Sequence, residues 1–160
     1  FAKANVTGKA NLFELKGDEM TKFEVGQEIT CDLFTKGEQI DVIGTSKGRG
    51  YAGTIKRWGH TIGPKGHGSG YHRGQGSFAN NGRCNNRVIP GKKMSGHMGN
   101  QSATVLNQVV VDSNKEMNYI LVSGGVPGPK KGLVKIRSAI KPVANPLKVE
   151  TLINRTPKAE

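Results

Sequence analysis

The stretch "GTSKGRGYAGTIKRWGH", Gly44 to His60, holds a literal G-x-G-x-x-G at Gly48, Gly50 and Gly53. The β-prone run "QIDVIGTS" precedes it, and a short helical stretch, "GYAGTIKRW", follows. Strand, glycines and helix in that order form the local pattern of a dinucleotide-binding fingerprint, in which backbone N–H groups hold a pyrophosphate. Two further requirements are not met. A ribose-holding acid is needed about 20 residues beyond the glycines, and the next acid after Asp41 is Asp112. Alternating β and α units are also needed, whereas the downstream sequence reads as β-hairpins. A protein-kinase glycine loop fails for want of catalytic-loop and metal-binding acids, and no G-x-x-x-x-G-K-[ST] occurs. What survives is the phosphate chemistry, which serves an RNA backbone as well as a cofactor.

Charge points to the same kind of partner. The 160 residues carry 24 Lys and Arg against 12 Asp and Glu, a net charge of +12 and a pI near 9.9. Such a balance in a glycine-rich, aromatic-poor chain suggests a polyanion, nucleic acid first and an anionic membrane surface second. Eight of the 12 acids lie in Glu14 to Asp41, and residues 42 to 111 hold none. That acid-free segment carries ten cations: Lys47, Arg49, Lys56, Arg57, Lys65, Arg73, Arg83, Arg87, Lys92 and Lys93. It also carries all four histidines, His60, His67, His72 and His97. Solvated surfaces normally mix both signs. A run of one sign makes sense among phosphates, where a carboxylate would be repelled.

No apolar run approaches the roughly 20 residues that span a bilayer, no amphipathic basic helix suggests a membrane surface, and no signal peptide is visible. The chain opens on Phe1, so it reads as a fragment or a processed form. Its two cysteines, Cys31 and Cys84, make no disulfide framework and fit a reducing setting.

Residues 1 to 20 read as a lead-in with a short helix at Asn11 to Leu15. The segments 21–45 and 101–141 supply a β core. Two strands, "FEVGQEITCDLF" and "EQIDVIGTS", join at "TKGE". A hairpin turns at "DSNKE", and a further strand follows "VPGPKKG". A long segment, 46 to 100, is inserted into this core, and 142–160 form a Pro-punctuated tail. The insertion's apolar residues are scattered. Loops beyond about 12–15 residues in a compact domain are usually functional or disordered, so this one is expected to order on a partner, RNA.

The histidines and Cys84 lack the short paired spacing of structural zinc, so no metal is expected. No carboxylate lies near them in sequence, and Cys84, beside Arg83 and Arg87, has no base to activate it; no enzyme, cofactor or small-molecule substrate is expected. The strongest local signal is "IPGKKMSGHMGNQSAT", Ile89 to Thr104, where paired lysines sit among glycines and methionines. Tyr51, Trp58, Tyr71 and Phe78 are interleaved with the cations, as phosphate contact and base stacking require. Trp58 reads equally well as a packing anchor.

These motifs in their order, "DVIGTSKGRGYAGTIKRWG", "HG" at His67–Gly68, "GKKMSGHMGN" and "LVSGGVPGPKKGLVKIRSAIK", resemble the bacterial-type ribosomal protein L3 family of the large subunit. The lead-in "FAKANVTGKANLFELK" and "FEVGQEITCDLF" are similar to its upstream region, and the likeness runs to about Lys141. The resemblance implies a mainly β fold: a six-stranded translation-protein-like β-barrel with a long irregular RNA-binding loop inserted. It implies a structural role in binding 23S-type rRNA, nucleating subunit assembly and supporting the peptidyl transferase centre, with neighbouring large-subunit proteins as further partners and a cytoplasmic or organellar ribosome as the setting. The family's N-terminal "GMTQ"-like strand is not in this sequence. The loop tip matches Gly74 to Lys93. Bacterial members carry a methylated glutamine where Asn80 stands here; Gln75 is out of register, and that modification is not expected. On this basis the RNA-binding residues are expected to be Lys47, Gly48, Arg49, Gly50, Lys56, Arg57, Trp58, His67, His72, Arg73, Phe78, Asn80, Asn81, Arg83, Arg87, Lys92, Lys93, Gly96 and His97, with Gly53 and Gly99 permitting close backbone approach. The second reading is a β-barrel domain of a translation-factor-like nucleotide-binding protein.

Overall fold

The computed structural model describes residues 1–14, 23–78 and 87–149. Among them the protein is mainly β. Its strands are β1 (Gln39–Thr45), β2 (Tyr51–Ala52), β3 (Gly96–His97), β4 (Ser102–Asn114), β5 (Tyr119–Ser123) and β6 (Val134–Ser138), with one five-residue α-helix, α1 (Thr54–Trp58). Four strands form one sheet in the order β5-β4-β1-β6, and β2 and β3 form a separate ribbon. Among the described residues the four-stranded sheet is open, with β5 and β6 at its edges.

The chain clusters into two units. One comprises Gln39–Gln108 and Gly124–Ala144. Here β1 is the spine. Its β-branched run buries Ile40, Asp41 and Val42 in succession, as an inner strand covered on both faces demands. β6 pairs antiparallel to it, Ile40 opposite Ser138 through Gly44 opposite Val134. That register sets Asp41 directly against Arg137.

Asp41 is the buried polar group on which this unit is arranged. Its side chain is 2% exposed, and Oδ2 lies 3.4 Å from Arg137 Nη2. Its Oδ1 accepts the backbone N–H of Asn107 at 3.2 Å. Asn107 sits within β4 at φ 54, a left-handed conformation that breaks the strand's alternation of exposed and covered residues. A buried carboxylate is tolerated only when paired and hydrogen-bonded, and Asp41 is both.

The other unit comprises Phe1–Glu38, Val109–Ser123 and Asn145–Glu160. It holds the anticipated hairpin, with Val109 opposite Ser123 through Asn114 opposite Tyr119 and a register shift between Val110 and Asp112. Asn114 Oδ1 accepts the N–H of Met117, an Asx turn that explains why "DSNKE" reverses the chain. Val109 and Val110 are buried.

Two local expectations are corrected. "FEVGQEITCDLF" is not a strand. Gly26 at φ 89 and a Gln27 N–H to Glu24 O bond make a turn. Cys31–Leu33 form a 3-10 turn, while Val25, Ile29 and Leu33 are exposed. β-prone composition without a surface to cover does not hold an extended strand. The helix expected at Asn11–Leu15 is also absent over the described Asn11–Glu14, a stretch too short to carry its nucleation cost without packing.

Both units hold a polar contact that a substitution can test. In the first, Asp41→Ala orphans the Asn107 N–H and should lower unfolding free energy in urea by about 2 kcal/mol. Asp41→Asn keeps an acceptor oxygen and should cost less; equal stability of all three proteins would contradict the arrangement. In the other unit, Tyr119 Oη donates to Asp112 at 3.2 Å. That bond, with desolvation and the Asp112 charge, raises the phenol above its ordinary value. A raised folded-state value contributes stability below the unfolded phenol's pKa, about 10, and loses it as pH climbs through the folded value. Tyr119→Phe should therefore flatten the alkaline loss of stability, measured by urea titrations from pH 8 to 12.

Candidate nucleic-acid interface

The inserted segment begins as a hydrogen-bonded neck. Ser46 N–H donates to Gln101 O at 2.8 Å and Asn100 N–H to Ser46 O at 3.0 Å. Ser46 Oγ also donates to Gln101 O at 3.0 Å and accepts the Gln101 N–H at 3.2 Å. Farther out, Arg49 N–H donates to Met98 O and Met98 N–H to Gly50 O, at 2.8 and 2.9 Å. The β2–β3 ribbon then pairs Tyr51 with His97 and Ala52 with Gly96. Gly99 carries the return strand past Lys47 at φ 75; a Cβ there would overlap the Lys47 carbonyl oxygen. The neck thus has a fold of its own, anchored by buried Ala52 and Thr54.

The same bonds settle the glycine pattern. The amide between Gly48 and Gly50 is used by Met98, so it is not part of a cofactor cradle. The helix that follows is a single turn, ended by Gly59 at φ 70.

Above the ribbon, the backbone carbonyl of Met94 gathers α1 to the returning chain. It accepts Arg57 Nη1 at 3.0 Å and Trp58 Nε1 at 2.8 Å. The Arg57 guanidinium lies 5.0 Å and the Lys93 ammonium 5.5 Å from the indole centroid. Trp58 is therefore anchored by its polar edge and carries two cations on its ring, yet remains 42% exposed. Ser95 Oγ meets Tyr51 Oη at 2.8 Å and accepts Gln75 Nε2 at 2.6 Å. Lys92 Nζ donates to Ser77 O at 3.4 Å. His72 is fixed by its Nδ1 against Pro64 O at 2.8 Å, while its carbonyl accepts Gly63 N–H at 2.8 Å.

Of the anticipated residues, Lys47, Arg49, Lys56, His67, His72, Arg73, Phe78, Arg87, Lys92, Lys93 and His97 are exposed along this segment. Gly48 and Gly50 lie in the neck and Gly96 in β3, while Arg57 is half-buried with one N–H already committed. Asn80, Asn81 and Arg83 lie outside the described residues. The structure brings together Arg57, Trp58 and Lys93, which the sequence offered as separate instances of charge and aromaticity. Reading side chains missed Met94, because its contribution is a backbone carbonyl, and missed Ser95 and Gln75 because their partners are distant in sequence.

Pairing β6 with β1 also extends the acid-free territory. The unit of residues 39–108 and 124–144 has the ten cations named above plus Lys130, Lys131, Lys135, Arg137 and Lys141, 15 in all. Its one acid is Asp41, buried against Arg137. The rest of the chain has nine cations and 11 acids. Charge is thus segregated by unit, and the surface of the first bears no carboxylate to repel a polyanion. Among the described residues no cluster of His, Cys, Asp and Glu is arranged to hold a metal ion.

Comparison with known proteins matches residues 8–118 to the family model described as Ribosomal protein L3. The "Large ribosomal subunit protein uL3" of Natranaerobius thermophilus is 48% identical over 141 residues, covering 88% of this chain and 66% of that protein. The protein of the same description from Bifidobacterium longum subsp. infantis is 43% identical over 143 residues, again covering 88% and 66%. The chain therefore spans 66% of the length of these curated relatives.

The neck geometry yields a direct test. Gly99→Ala should collide with the Lys47 carbonyl and occupy an unfavourable φ, raising hydrogen-exchange rates at the Arg49 and Met98 amides by tenfold or more, roughly 1.4 kcal/mol of local stability. Unchanged protection there would contradict the close approach.

Proposed function

Because this chain belongs to the ribosomal protein L3 family, we propose that it is a structural, non-catalytic component of a large ribosomal subunit that binds 23S-type rRNA through the unit built on β1. The observation that carries the proposal is the charge arrangement: 15 cations on one unit whose single acid is buried. In this reading the hydrogen-bonded neck sends residues 53–95 into the rRNA. Lys47, Arg49, Lys56, Lys92 and Lys93 neutralise phosphates. His72, Arg73, Phe78 and Arg87, with Asn80, Asn81 and Arg83, serve the part nearest the peptidyl transferase centre. Trp58, with its exposed face, both packs the loop and offers a stacking surface. In the same reading the β core, a four-stranded open sheet among the described residues, belongs to a translation-protein-like barrel lying on the rRNA beside neighbouring large-subunit proteins, in a cytoplasmic ribosome. Nucleation of subunit assembly belongs to the same proposal.

Neutralising about six phosphates makes the log of the association constant fall with log salt at a slope of about −4 to −5. Filter binding of the chain to a large-subunit rRNA transcript, from 50 to 400 mM KCl, measures it, and a slope near zero would reject the reading. The nucleotide-binding alternative is tested by calorimetric titration with ATP, GTP and NAD, for which no specific heat is expected.

A further inference from the structure

We propose that the turn Pro127–Gly132, outside the inserted segment, is a second RNA-backbone site, in which Lys130 and Lys131 act together with Lys47 on one run of phosphates. This rests on the rRNA-binding reading above and assigns it a place that the motifs of the loop do not cover.

The turn is pressed onto the point where β1 enters the neck. A Cβ on Gly44 would stand 2.6 Å from the Pro127 carbonyl oxygen, and one on Gly128, at φ 116, would stand 2.8 Å from the Thr45 carbonyl oxygen. Backbone therefore meets backbone at both ends of this contact, and the turn cannot shift without displacing β1. Between them lies a cavity of about 210 Å³ walled by Thr45, Ser46, Gly48, Asn100, Pro129 and Leu133, among others. Water occupies about 30 Å³ per molecule in the liquid, so the space admits a phosphate with part of its hydration. The wall residues Gly48 and Pro129 are the chain neighbours of Lys47 and Lys130. Lys47, Lys130 and Lys131 are thus each next in sequence to a wall residue, Lys131 through Gly132.

Those cations are uncommitted. Lys47, Lys130 and Lys131 are exposed, and among the described residues their ammonium groups make no ion pair; the unit's one carboxylate is occupied by Arg137. Lys131 adopts φ 64, a left-handed conformation that glycine takes at less cost. A charged residue is thus held where the local backbone favours a glycine, and the turn that holds it is rigidly seated. Directed at a polyanion, such a pair would extend the phosphate track of the neck onto the β core.

The backbone also supplies a substitution that separates charge from folding. Lys131→Gly suits φ 64, and Lys130→Gln keeps the side chain's length. The double variant should melt within a few degrees of the parent protein while its salt slope on the large-subunit rRNA transcript becomes less negative by about 1.5 units, the change expected when about two phosphates are no longer neutralised. Lys130→Arg with Lys131→Arg should restore the slope. In the unsubstituted complex, Lys130 and Lys131 should also be shielded from an amine-acylating reagent that labels them in the free protein. A double variant with the parent's slope, or lysines equally reactive in the complex, would overturn the second site and leave the rRNA reading intact. A flat slope for the parent protein would overturn both.

Discussion

A single carboxylate organises the basic unit of this chain. Asp41 lies in β1, where two neighbouring strands converge, and it answers a different need of each. To β4 it offers an acceptor for the Asn107 N–H, which the left-handed bend leaves without a regular ladder partner. To β6 it offers a counter-charge for Arg137, directly opposite in register. Burial makes both contacts stronger than they would be at the surface and makes the loss of either costly. The acid is also removed from the field that phosphates would experience. Placing the unit's only negative charge inside lets the fold be stabilised by an ion pair without weakening the positive surface.

The neck depends on that spine. β1 continues through Ser46 into paired backbone, and the return strand comes back through Gly99 and Asn100 to β4. The inserted segment therefore leaves and re-enters the unit at one place, held by main-chain bonds rather than by a hydrophobic core of its own. Beyond the ribbon, cohesion comes from convergent polar contacts on Met94 O and Ser95 Oγ, which leave lysines and histidines facing outward. A segment built this way leaves most of its cations exposed along its length.

Much of this was legible in residue order. β1 showed itself through Ile40, Val42 and Ile43, the hairpin through its Asn-containing turn, β6 through "LVKIRS" and α1 through "TIKRW" closed by Gly59. Exposed Val25 and Ile29 misled, because β-propensity records fitness for a covered surface and no surface covers them. The G-x-G-x-x-G was readable as a false fingerprint from the missing downstream acid. Why its amides are engaged needed the partner strand, since Met98 lies 49 residues from Arg49 in sequence.

Composition and order alone determined the sign of the charge and the length over which it runs: a long acid-free basic run with strand-forming flanks, together with motifs in the order of a known family. These are properties of residue types and their spacing along the chain. Tertiary structure decided which cations share a surface and which are already spent. Arg57 and Lys93 meet over Trp58, Arg137 is committed to Asp41, and the Pro127–Gly132 turn is seated against the end of β1. The reason is physical: an ion pair, a cation over a ring and a cavity between two backbones depend on distances through space, and strand pairing sets those distances between residues that the sequence keeps far apart.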